Sequence, residues 1–286
     1  MPKLSGFTIV KNAIKLVFPI EASIRSLLTV CDEVVVNVGK SDDDTLGLVR
    51  SINDPRIKIL ETVWATDKQN YVLGEETLRA MRACSHPWGI YIQADEVLHE
   101  RGAEELRRVV QQVDGDPRVE ALLVKYHHFY GSFDTEATHR RWYRREVRCV
   151  RLDPALDIRP YQGAQGFRVG PDHRKIRARL TGAEMFHYGW SRPTAALRAK
   201  RENDKVMYPW RPQGEDLPLL DWQPGLKPFR GTHPSAAAVY IATHRNDLQQ
   251  VGPKFWAWHF TRFYVSGWVE ALTGWRPMEF RNYRIV

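Results

Sequence analysis

Asp95 and Glu96 stand directly after an apolar run in the segment YIQADEVLHE (91–100), so a buried strand ends on two adjacent carboxylates. A carboxylate at a strand tip is held rigidly, and the small Ala94 beside it lets a ligand approach the backbone. The chemistry this suits is a hard divalent cation. Magnesium or manganese takes one or two protein carboxylates and leaves the rest of its shell to phosphates and water. The plain alternative is that the strand ends there and acidic residues open the next loop. Deciding between the two requires the elements that would position Asp95.

The first 125 residues alternate strand and helix signals. FTIV (7–10), EVVVNV (33–38), IKIL (57–60), IYIQ (90–93) and VEALLVKY (119–126) are short apolar or β-branched runs. Between them Ile24, Leu27, Leu28 and Cys31 share one helix face, as do Leu73, Thr77, Met81 and Cys84 in a helix expected from about Asn70 to Cys84. Ala103, Leu106, Val109, Val110 and Val113 are again in phase. Strands apolar on both faces and separated by helices predict a mostly parallel sheet covered on both sides. Ligands of such sheets bind beyond the carboxyl ends of the strands. Lys11 and Asn12, the stretch from Asn37 to Asp44, and Asp95 with Glu96 all fall at such ends.

Composition narrows the field further. A chain of 286 residues, 43% hydrophobic, can bury a large core. No window approaches the roughly 18 unbroken apolar residues of a membrane span, and Lys11, Asn12 and Lys15 interrupt the region where a signal peptide would be apolar, so a cytoplasmic location is expected. Cys31, Cys84 and Cys149 lack metal-ligand spacing and read as small buried residues. Charge is uneven. Residues 1–125 carry 16 Lys or Arg against 19 Asp or Glu, whereas residues 126–286 carry 26 against 15. Six of these arginines lie in THRRWYRREVRCVR, which reads either as one solvated basic face or as an attraction for phosphate, an anionic membrane or nucleic acid.

The segments SGFTIVKNA, DEVVVNVGKSDDDT and IYIQADEVL together resemble the family 2 glycosyltransferases, and HHFYGSF, AQGFR, MFHYGWSRP and LTGWRPMEFRNYRIV extend the resemblance to one bacterial branch of that family. The resemblance implies a GT-A fold, an α/β architecture with a Rossmann-like, mostly parallel central sheet flanked by helices. It places the nucleotide-sugar and catalytic domain at residues 1–190 and a helical, irregular, aromatic-rich extension at 191–286. Thr8, Lys11 and Asn12 would lie beside the base, and Asn37, Gly39 and Asp43 near base and ribose. Gln93 and Ala94 would lie at the diphosphate, and Asp95 and His187 would hold Mn2+ or Mg2+. Gln93 and Asn37 stand where the family usually has acidic residues, and the neutral Gln93 implies weaker metal binding.

The implied reaction moves a sugar from a UDP-, GDP- or dTDP-sugar to an acceptor hydroxyl with inversion, in cell-surface glycan synthesis, the acceptor being a glycan or a lipid-linked molecule. Its oxocarbenium-like transition state asks for charge neutralisation at the diphosphate and for a carboxylate base. Asp134 in YGSFDTE is the favoured base over Asp157 and Glu184, and Gln165 and Trp190 are expected on the acceptor side. The aromatic tail KFWAWHFTRFYVSGW, with Phe255 and Trp256, suits packing on the catalytic domain or an oligomer contact, so a homodimer is open, and it also suits peripheral attachment to the inner face of a membrane. A nucleotidyltransferase would share the acidic strand tip but should carry a glycine-rich loop near the first strand. A non-catalytic binder of nucleic acid or membrane would leave the acidic strand tip without a use, and no nucleic-acid partner is expected.

Overall fold

The computed structural model describes residues 2–65, 71–161, 163–207, 219–248, 251–252, 254 and 257–286. Strands β1 (Leu4–Val10), β2 (Glu33–Gly39), β3 (Ile57–Thr62) and β4 (Trp88–Tyr91) pair in parallel in the order β3-β2-β1-β4. Helices α1 (Ile20–Leu28), α2 (Thr45–Ser51) and α3 (Tyr71–Arg82) connect them. Ile20, Ile24 and Leu27 of α1 are buried at i, i+4 and i+7, and Cys31, expected on the same helix face, is buried just beyond its end. Asn70, the expected start of α3, lies outside the described residues.

The sheet then changes character. After β5 (Glu96–Leu98) and α4 (Glu100–Val113), the strands β6 (Ala121–Tyr130) and β8 (Arg145–Arg151) enter with β8 antiparallel between β4 and β6, and β7 (Thr135–Ala137) pairs against the end of β6. β9 (Ile158–Tyr161) and β10 (Gly166–Val169) form an antiparallel edge on β11 (Arg174–Trp190), which itself runs parallel to β6. The expected parallel pairing is that of the first four strands, and the rest of the sheet is mixed. β8 enters antiparallel to both β4 and β6, and β9, β10 and β11 follow one another as a local antiparallel edge.

Residues beyond 190 are tied into this body. They form α5 (Thr194–Met207), β12 (Leu226–Pro228), α6 (Ala238–His244), α7 (Thr261–Thr273) and β13 (Tyr283–Ile285). β12 pairs with β7, and β13 pairs with β11 at the opposite end of the chain. Phe255, Trp256 and the proline-rich stretch 209–218 lie outside the described residues.

The run of arginines is divided between interior and surface. Arg148 is fully buried, Arg144 pairs with Glu270 and Glu279, and Arg151 donates to the carbonyls of Val113, Asp114, Asp116 and Val119. The reading of one solvated basic face is overturned, because β8 is a central strand buried on both faces and takes Arg148 inside.

Several buried histidines are held neutral. Burial lowers His139 to about 4 and pushes His128 and His233 below the ordinary imidazole value. In each case the folded value lies below the unfolded one, so the unfolded chain binds more protons between the two. Stability should therefore fall as pH drops from about 6.5 towards 4, the range set by His139, by up to about 1.4 kcal/mol per pH unit for that residue, with His128 and His233 acting in the same direction. Thermal unfolding across that range checks this; a flat profile would contradict it.

Candidate active site

Four residues, Gln93 to Glu96, form a turn that separates the two carboxylates by function. β4 ends at Tyr91, and the Glu96 amide closes the turn by donating to the Gln93 carbonyl at 3.0 Å. The Glu96 side chain folds inward and accepts from the Gln93 amide at 2.9 Å, from the Tyr126 hydroxyl at 2.8 Å and from Arg148 Nε and Nη2 at 3.0 and 2.9 Å. Both members of this ion pair are fully buried. Asp95, one residue earlier, turns to the other side. Its carbonyl accepts from the Tyr188 amide at 2.9 Å, which fastens the turn to β11. One carboxylate is thus a buried staple, and the other faces a cleft of about 1100 Å³ at the carboxyl ends of the parallel strands.

Asp95 meets two partners there. Arg192 Nη2, fully buried, donates to Asp95 Oδ2 at 2.7 Å and is held by the Leu16 carbonyl at 2.9 Å, with its guanidinium over the Phe18 ring. His187 Nε2 lies 3.6 Å from the same oxygen. Burial alone would raise the Asp95 carboxyl, but His187, Arg192 and Lys200 outweigh it and hold the group well below the ordinary carboxylate value. It is an anion at any physiological pH.

The tautomer of His187 follows from its neighbours. His128 Nε2 stands 2.9 Å from the Tyr143 carbonyl, which can only accept, so Nε2 carries the hydrogen. A neutral His128 then has a bare Nδ1, and His187 Nδ1 donates to it at 3.0 Å. His187 Nε2 is thereby left facing the Asp95 carboxylate: with a hydrogen it pairs with that anion, and on giving the hydrogen up it offers a lone pair to a cation there. A nitrogen and an oxygen lone pair converging at this separation suit a shared cation, and two protein donors are what magnesium or manganese uses when phosphate completes the shell. Among the described residues no group of three or more His, Cys, Asp or Glu is gathered as a metal site. The donor set fits a two-residue divalent site.

Gly189 keeps this space open. A Cβ there would sit 2.7 Å from Asp95 Oδ2 and press on His187 Nε2. Gly189→Ala should leave the sheet folded and weaken divalent cation binding at least tenfold, read by titration of Mn2+ into the protein. Unchanged Mn2+ affinity would mean that the cation binds elsewhere.

The other expected residues divide into two groups. Lys11, Asn12, Gln93, Ala94, Gln165 and Trp190 line the cleft together with Asp95 and His187. Thr8, Asn37, Gly39, Asp43 and Asp134 are not among its lining. Thr8 is buried in mid-strand opposite Val36, short of the strand end. Asn37 donates to the Glu76 carbonyl and carboxylate at 3.0 and 2.8 Å and accepts from Thr62, so its amide is used inside the sheet. Trp64 packs over Gly39 and takes the place at the mouth. Asp43 pins its own loop by accepting from the Lys15 and Thr45 amides at 2.8 and 3.1 Å. Asp134 is exposed and ion-paired with Arg245 outside the cleft. Of the other candidate bases, Glu184 lies on the opposite face of β11, bonded to Lys125 and His127, and Asp157 pairs with Arg159.

Residues that the sequence reading passed over complete the site. Trp64, Tyr91, His128 and Tyr143 line it, and α5 turns Lys200, Asn203 and Asp204 towards it from one face at i, i+3 and i+4. Lys200 Nζ donates to the Gly189 carbonyl at 3.1 Å and lies over the Trp190 ring. Asp204 is the one carboxylate besides Asp95 among the described residues of the lining. Its signal was weak, because the acid lies inside an otherwise ordinary charged helix.

No protein-family model matches the chain, and no curated protein matches it. Solved structures do. TarS residues 1–349 from S. aureus matches at 13% identity over 74% of this chain and 67% of that one, with a TM-score of 0.41. Glucosyl-3-phosphoglycerate synthase from Mycobacterium tuberculosis, in complex with Mn2+, UDP and phosphoglyceric acid, matches at 18% identity over 44% and 43%, with a TM-score of 0.32. Mannosyltransferase PcManGT from Pyrobaculum calidifontis, in complex with GDP-Man and Mn2+, matches at 21% identity over 42% and 34%, with a TM-score of 0.33. The match to TarS in complex with UDP spans 36% of that chain. The chain itself has a mixed α/β fold in which a curled sheet is flanked by helices and opens a cleft at its parallel carboxyl edge.

Proposed function

We propose that the protein is an inverting glycosyltransferase that moves a sugar from a nucleoside diphosphate sugar to an acceptor hydroxyl. The observation that carries this reading is the convergence of Asp95 and His187 Nε2 at the strand edge of a large cleft. A UDP-, GDP- or dTDP-linked donor fits this end of the sheet, with Lys11 and Asn12 at the base and Gln93 and Ala94 along the diphosphate. Trp64 offers a flat apolar surface for the base.

Asp95 and His187 would hold Mn2+ or Mg2+, which supplies neutralisation of the charge on the departing diphosphate. Arg192 and Lys200 add fixed positive charge at the same place. Gln165 and Trp190 face the acceptor side, and Asp204 on α5 takes the role of base first assigned to Asp134, accepting the hydroxyl proton as the new bond forms. The acceptor is a glycan or a lipid-linked molecule of cell-surface glycan synthesis, and the chain works in the cytoplasm or against the inner face of a membrane. Among the described residues no helix is long and apolar enough to cross a membrane.

Asp204→Asn separates binding from chemistry. Turnover of a donor panel should fall by about 10²- to 10⁴-fold, while nucleoside diphosphate affinity stays within a factor of two or so of wild type. Equal turnover in the variant would remove Asp204 from the reaction.

A further inference from the structure

Helix α7 carries two opposed faces. At about 100° per residue, Phe263, Ser266 and Glu270 share the side packed on the body, where Phe263 and Ser266 are buried and Glu270 pairs with Arg144 and Arg276 at 3.0 and 2.7 Å. The other side presents Val265, Trp268 and Leu272 at i, i+3 and i+7, continued by Trp275 beyond the cap. They are 50%, 69%, 87% and 60% exposed. Burial against the described residues does not account for that stripe.

Three cations gather at Phe263 on the body-packed side of the helix, and Arg140 lines one groove with Trp268 of the stripe. The guanidinium carbons of Arg140, Arg141 and Arg262 lie 5.4, 5.1 and 5.1 Å from the Phe263 ring centre. Among the described residues no carboxylate pairs with any of the three, while Arg144 and Arg276 nearby are fully paired. Like charges gathered around one ring repel unless an anion lies over them. An apolar stripe with tryptophans, bordered by unpaired arginines, is the pattern of a surface that sits in the headgroup region of an anionic bilayer. A second copy of the chain on this face would bring two arginine triads together, which disfavours the dimer.

We propose that α7 docks the protein on an anionic membrane, with Trp268, Leu272 and Trp275 entering the interface and Arg140, Arg141 and Arg262 on lipid phosphates. Arg141 also lines the cleft, so docking sets the cleft mouth beside the bilayer. The proposal rests on α7 and its arginines alone and stands apart from the reaction assigned to Asp95.

Full-length protein is sedimented with vesicles of phosphatidylcholine, with and without an equal share of phosphatidylglycerol. The expected result is strong association with the anionic vesicles and roughly a hundredfold weaker association with neutral ones, from about 1 kcal/mol per basic side chain. Trp268→Ser with Leu272→Ser, and separately Arg262→Glu, should reduce anionic association at least tenfold while the thermal transition is retained. No association of wild type with anionic vesicles overturns the proposal, as does undiminished association of these variants. A wild-type dimer that the Trp268→Ser, Leu272→Ser protein cannot form, seen by light scattering without lipid, assigns the face to self-association and also overturns it.

Discussion

Asp95→Asn is expected to lower sugar transfer by on the order of a thousandfold and to abolish metal-dependent binding of nucleoside diphosphates. Asn keeps the shape but removes the charge that draws a cation to the His187 lone pair, and it leaves the buried Arg192 without its anion. Some loss of stability should accompany the change, so circular dichroism must show a folded protein before binding is compared. His187→Ala is the companion variant. It leaves the Asp95–Arg192 pair in place and should weaken Mn2+ binding while the fold is kept. Retention of Mn2+-dependent nucleotide binding in both would place the site elsewhere.

Arg148→Met should have the largest effect on stability. It strands the Glu96 carboxylate in the core, with only Tyr126 and the Gln93 amide as partners. Breaking a buried pair by removing one member costs about 3–5 kcal/mol, on the order of 10 °C in a chain of this size. Adding Glu96→Gln to Arg148→Met should restore much of the loss, since the uncompensated charge is gone. If the single variant melts within about 1 °C of wild type, the pair does not hold the Gln93–Glu96 turn. Activity gives an independent reading, because loosening that turn moves Asp95.

The parallel half of the fold was legible because its strands are continuous apolar runs and its helices keep one stripe, as Ala103, Leu106, Val109, Val110 and Val113 in α4 demonstrate. The antiparallel insertion of β8 was not legible, because strand order depends on pairing between segments far apart in the chain. Asp95 and Glu96 were visible as a pair, whereas the partners of Glu96, Tyr126 and Arg148, were not, because they lie far along the chain. Thr8, Asn37, Gly39 and Asp43 illustrate the opposite difficulty: each has a polar or open character that suits a ligand, and each is used or enclosed by the protein itself. Arg192 was legible only as part of FHYGWSRP, and Asp204 only once α5 was seen to face the cleft.

The most direct test of the proposed function is equilibrium binding of uridine, guanosine and thymidine diphosphates by calorimetry, with and without Mn2+, to wild type and to Asp95→Asn. At least one nucleotide should bind wild type more tightly with Mn2+ than without it, and that gain should vanish in Asp95→Asn. Absence of binding by all three nucleotides, with or without the metal, would contradict it.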